Sequence, residues 1–137
     1  MEEIYTSASV AETQQIAESL SARLSGLIAF YGSMGVGKTA FVSGFVRGRG
    51  LTCRVSSPTY TVMNCYAADL FHLDLYRVES EDDLESVGFY DIPENATVLC
   101  EWSEHLPKHV RPDVSVFLER SDDGDGRTIK VVYECRS

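Results

Sequence analysis

The sequence predicts an α/β fold, a single three-layer domain whose central sheet mixes parallel and antiparallel strands, and three observations lead there. Its 137 residues, 44% of them apolar, supply one hydrophobic core but not two. A glycine-rich stretch at 32–39 stands between a short apolar run and a segment with apolar residues at helical spacing, the strand, loop and helix order of α/β units. Two strand-like runs at 61–66 and 70–76 are separated only by Ala67, Ala68 and Asp69. That gap makes a hairpin, not a crossover, so the sheet contains antiparallel pairs.

In chain order, residues 3–7 read as a first strand, and Ser9 to Glu12 has the S-x-x-E form of a capping box. Ile16, Leu20 and Leu24, with Ala17 beside them, form one apolar stripe, so a helix to about Arg23 packs on the sheet and ends at Ser25 and Gly26. Leu27 to Tyr31 is a short buried strand, and the helix that starts at Lys38 ends among Gly48, Arg49 and Gly50, where glycine can turn left-handed. Residues 53–56 suggest another strand. Ser57, Pro58, Thr59 and Tyr60 form a polar loop, since proline restricts both itself and Ser57.

Alternation along 70–76 puts Phe71, Leu73 and Leu75 on one face and His72, Asp74 and Tyr76 on the other. That face is either the ordinary polar side of a half-exposed strand or an aligned functional set. Ser80 caps a short acidic helix with Asp83 at its third position, and Gly88 stops it. Thr97 to Cys100 is apolar and runs straight into Glu101 and Trp102. Residues 114–118 and 128–133 close the chain as a hairpin around the acidic turn at 122–126.

Gly32, Ser33, Met34, Gly35, Val36, Gly37, Lys38 and Thr39 fit the phosphate-loop pattern G-x-x-x-x-G-K-[ST] at every fixed position. Chance would produce that pattern in roughly one chain of this length in a few hundred. The expected architecture is therefore P-loop NTPase-like. Glycines let successive N–H groups point into one concavity, the following helix adds its positive dipole end, Lys38 reaches the β- and γ-phosphates, and the Thr39 hydroxyl can ligate Mg²⁺. Glu101 is the best candidate for the acidic residue that a neighbouring strand delivers beside that metal. Asp74 is the first choice to orient the attacking water, and Thr59, a loop hydroxyl near the γ-phosphate, the second. The guanine-reading N-K-x-D pattern is missing, so ATP is expected over GTP. With no evident arginine-bearing lid to exclude water, hydrolysis is favoured over transfer to a metabolite. A nucleotide-gated binding module and a small phosphotransferase are the alternatives.

A net charge of −9 argues against a surface that grips nucleic-acid backbones directly. The acidic runs at 79–85 and 122–125 are solvated faces or a docking surface for a basic partner. Cys53, Cys65, Cys100 and Cys135 lack C-x-x-C spacing and read as reduced thiols, mostly filling the core, with a four-cysteine zinc site as the alternative. No run approaches a bilayer span and the first residues lack signal-peptide character, so a cytoplasmic location is expected.

The residues together resemble a known family, the small bacterial P-loop ATPases of tRNA threonylcarbamoyladenosine synthesis called TsaE or YjeE. The likeness rests on G-S-M-G-V-G-K-T, S-P-T-Y-T at 57–61, H-L-D-L-Y-R at 72–77, the acidic helix before Gly88 and Phe89, and C-E-W-S-E at 100–104. The resemblance implies an ATPase, weak alone, that supports the complex transferring a threonylcarbamoyl group to tRNA, with TsaD and TsaB as partners. It further implies Mg²⁺ held by Thr39 and Glu101, switch-like behaviour of the 57–60 loop and the Asp74 strand, Trp102 near the nucleotide or the switches, and Thr13 approaching the base.

Overall fold

The computed structural model describes residues 1–32, 37–52, 55, 63–76, 78–120 and 126–134. Its elements run β1 (Glu2–Ser7), α1 (Val10–Leu20), β2 (Leu27–Tyr31), α2 (Lys38–Gly48), β3 (Met63–Ala67), β4 (Leu70–Asp74), α3 (Glu81–Ser86), β5 (Thr97–Glu101), β6 (Val114–Arg120) and β7 (Arg127–Tyr133), with single 3₁₀ turns at Phe89–Asp91 and Ser103–His105. The strands form one sheet in the order β1-β7-β6-β2-β5-β4-β3. Four central strands are parallel, and β7 and β3 run against their neighbours. The α/β class and the mixed sheet are as the sequence predicts. Of the strand suggested at 53–56 only Val55 is described, and it belongs to no strand, while the loop at 57–60 lies outside the described residues.

Central strands covered on both faces are apolar along their middle, and β5 is buried at all five positions, with Val98, Leu99 and Cys100 between Thr97 and Glu101. On one face α1 and α2 pack Ala17, Leu20, Phe41, Val42 and Phe45 onto Ile28, Phe30, Leu99 and Val116. On the other, Leu84 of α3 and half-buried Phe89 and Leu106 cover Leu73, Val98 and Cys100. The three layers follow from these two apolar clusters, each closed by its own helices.

Ser9 caps α1 as its spacing predicts: its Oγ accepts from the Glu12 N–H at 3.1 Å, and the Glu12 carboxylate reaches back to Ala8 N–H at 3.2 Å. The helix stops at Leu20, short of Arg23. Its last turn tightens, Arg23 N–H donating to the Leu20 carbonyl, while the Arg49 guanidinium takes the carbonyls of Ser21 and Leu24 at 2.8 and 2.6 Å. Those orphan carbonyls are thus satisfied from α2's end rather than by more helix.

Helices α1 and α2 run in the same direction, since Gly44 meets Gln14 and Gly48 meets Glu18. A Cβ on Gly44 would run into the main chain of Gln14, so this glycine is required by close approach. Cys100 fills the core as expected, whereas Cys65 is exposed on the edge strand β3. Among the described residues no His, Cys, Asp and Glu cluster is built to hold a metal by itself, and no helix is long and apolar enough to cross a membrane.

Gly44→Ala is expected to destabilise the protein by about 1–3 kcal/mol, because the helix pair cannot separate without losing core contacts. A lowered urea midpoint with unchanged slope would show it. Burial pushes the Cys100 thiol up to about 12. The unfolded thiol ionises near ~8.5, so above that pH the unfolded chain sheds a proton that the folded chain keeps. Stability should therefore fall through the alkaline range up to about 12, by at most ~1.4 kcal/mol per pH unit for this group. Cys100→Ala, compared across that range by denaturant titration, should show a shallower decline.

Candidate functional site

Strands β2, β5 and β4 are parallel neighbours, with Ala29 and Leu73 both opposite Cys100 and Asp74 opposite Glu101. Their C-terminal ends therefore emerge at one sheet edge. From β2 the chain passes into Gly32 (φ +146°), and it re-enters the described region at Gly37 (φ +102°), both in backbone territory that favours glycine. Ser33, Met34, Gly35 and Val36 lie outside the described residues, as does Thr59.

Each helix start shows what its sequence makes of it. Ser9 and Ser80 cap α1 and α3 with hydroxyl oxygens, but α2 begins at Gly37 with no side-chain cap. Among the described residues no side chain caps its first N–H groups, which is what an anion-binding helix end requires. Lys38 folds back over this end: its Nζ donates to the Gly32 carbonyl at 3.0 Å and lies 5.5 Å from the centre of the Trp102 ring. Thr39, one residue on, is exposed.

Glu101 ends β5 and is buried, with its Oε2 bonded to His72 Nε2 at 2.6 Å. Asp74, at the matching end of β4, is half-buried, and its Oδ1 accepts from the Tyr76 N–H at 3.0 Å. Trp102 has φ +57°, the one positive φ outside glycine among the described residues. Its ring touches those of Tyr76 and His105 at centroid distances of 4.9 and 5.8 Å. His105 Nδ1 then donates to the carbonyls of Leu75 and Val78, tying the turn after Glu101 to the segment after Asp74. Thr13 is buried in α1, its hydroxyl 2.7 Å from that of Ser7.

Lys38, Trp102, Glu101 and Asp74 thus gather around one edge. A phosphate suits the uncapped helix and its lysine. A hard divalent cation suits one carboxylate and one hydroxyl supplemented by phosphate oxygens and water, because Mg²⁺ seldom uses an all-protein cage. The residue that sequence reasoning underused is His72. Alternation placed it on the face with Asp74, but the ordinary-polar-face reading fails, since its side chain is fully buried. Its contact with Glu101 depends on β4 pairing with β5, which no local pattern encodes.

Comparison with known proteins agrees with the fold. A family model described as threonylcarbamoyl adenosine biosynthesis protein TsaE matches residues 7–129. The protein named tRNA threonylcarbamoyladenosine biosynthesis protein TsaE from Nostoc sp. is 33% identical over 118 residues, covering 80% of this chain and 72% of that protein. Its namesake from Bacillus subtilis is 33% identical over 122 residues, covering 83% and 75%. The crystal structure of Bacillus subtilis YdiB superposes with a TM-score of 0.75 at 26% identity, covering 97% of this chain and 86% of that one. With a sheet, a phosphate-loop helix and a family match that span nearly its whole length, the chain belongs to the TsaE family.

Proposed function

We propose that this protein binds ATP with Mg²⁺ at residues 32–39 and hydrolyses it in support of tRNA threonylcarbamoyladenosine synthesis, with TsaD and TsaB as partners. The observation that carries the reading is the meeting, at one sheet edge, of an uncapped helix start bearing Lys38 with a buried strand-end carboxylate, Glu101. Family membership supplies the pathway; the site supplies the chemistry.

Main-chain N–H groups at the start of α2 and the Lys38 ammonium bind the phosphate tail, and the ammonium offsets charge that builds on the leaving oxygens. Thr39 and Glu101 are the groups that would hold Mg²⁺, which when bound supplies further charge neutralisation. Asp74 orients the water: its Oδ1 is fixed by Tyr76 N–H, so the carboxylate is presented in one direction. Thr59 is the second group for that task. Trp102 shields the phosphate side of the site through its contact with Lys38, and Thr13 is assigned to the base side. With a chain of net charge −9, RNA contact falls to the partners, and so does completion of the site.

Calorimetry with ADP and Mg²⁺ should detect one site, and Lys38→Ala should weaken it at least ~10-fold. Asp74→Asn should keep nucleotide affinity while single-turnover hydrolysis with TsaD and TsaB falls about 10²–10⁴-fold. Absence of nucleotide uptake by the wild-type protein, or uptake indifferent to Lys38, refutes the binding site. Hydrolysis unchanged in Asp74→Asn removes that residue's role.

A further inference from the structure

Three adjacent strands place three polar side chains in one line on the face toward α2, two of them buried and the third half-buried. His72 of β4 is fully buried, and its Nε2 lies 2.6 Å from Glu101 Oε2 on β5. Its other nitrogen, Nδ1, lies 2.9 Å from the Tyr66 hydroxyl on β3. A carboxylate only accepts, so Nε2 carries the proton, and in the neutral imidazole the Nδ1 lone pair receives the Tyr66 O–H. All donors in the line point toward Glu101.

The backbone bears the mark of this arrangement. In the β3–β4 ladder Cys65 faces Phe71 and Ala67 faces Leu70, so a bulge falls on Tyr66 between them. Bulges re-aim a side chain at the cost of ladder bonds, and here the re-aimed group is the one that reaches His72. Among the described residues only Oε2 of Glu101 is engaged, its Oε1 making no hydrogen bond or ion pair. A core that needed only filling at position 72 would use an apolar side chain, without the cost of burying an imidazole.

We propose that His72, braced by Tyr66, is a positioning residue that pins one oxygen of Glu101 and thereby keeps the other for the magnesium of the bound nucleotide. This rests on the reading of Glu101 as a metal ligand given above. Hydrogen bonds behind a ligating carboxylate fix its rotamer, and their loss typically weakens metal affinity ~10–100-fold.

The test is the Mg²⁺ dependence of ADP binding to the full chain, followed by calorimetry from EDTA to saturating Mg²⁺. His72→Leu should raise the Mg²⁺ midpoint by about 10–100-fold while ADP affinity in EDTA stays at the wild-type value. His72→Gln, whose amide can reach Oε2, should recover most of the loss, and Tyr66→Phe should move the midpoint less in the same direction. A folded His72→Leu protein with the wild-type midpoint overturns the proposal. So does a loss of ADP affinity of equal size with and without Mg²⁺, which a purely structural histidine would give. If His72→Leu does not fold, Tyr66→Phe decides alone, and an unshifted midpoint overturns the proposal. ADP binding by the wild type that ignores Mg²⁺ refutes the metal site itself, and this inference with it. A wild type that responds to Mg²⁺, with variants that match it, refutes this inference only.

Discussion

A slip of one residue between β4 and β5 would turn Glu101 from the α2 face to the opposite face and separate it from both His72 and Asp74. The parallel register that sets Leu73 against Cys100 and Asp74 against Glu101 is therefore the constraint behind the whole site. It is held from both faces. Leu70 and Leu99 belong to the core beneath α1 and α2, while Leu73, Val98 and Cys100 belong to the core beneath α3. Two apolar clusters that share alternate residues of the same strands leave one register in which both are buried.

Polar groups at the C-terminal edge are tolerated because each has a partner. An unbonded buried carboxylate or imidazole costs more than most single core contacts contribute, so Glu101 and His72 are stable mainly as a pair. Trp102 carries a different cost. A left-handed backbone in a residue with a Cβ is disfavoured by about 1–2 kcal/mol. Ser103 Oγ donates to the Cys100 carbonyl at 2.8 Å, His105 N–H donates to the Trp102 carbonyl at 3.0 Å, and the His105 ring donates to Leu75 and Val78. At about 0.5–1.5 kcal/mol each, these bonds offset the strain. The outcome is a turn that brings the Trp102 ring against Lys38 directly after a buried acid.

The same contacts join parts of the site that are far apart in sequence. His105 fastens the turn after β5 to the segment after β4, and the Tyr76 ring from that segment packs tilted against Trp102. A change at the helix end bearing Lys38 is thus one ring away from the strand bearing Asp74. The acidic helix α3 follows directly on the coupled segment.

Much was legible in sequence because it is local. Caps at Ser9 and Ser80, the start of α2 at Lys38, the hairpins, and a buried strand that ends in Glu101 are each written within a few residues, where steric and hydrogen-bonding preferences act directly. Residues that meet across strands were not legible. His72 looked like a polar residue on a half-exposed strand because alternation specifies a face and not what covers it. No local pattern marks Gly44 as the point where the main chain of Gln14 comes too close for a Cβ. The sequence by itself determined where most strands and helices form, and that a glycine-rich stretch of phosphate-loop pattern precedes α2. Only the tertiary structure decided that His72 and Tyr66 stand behind Glu101, because strand order and register come from packing both faces of the sheet at once.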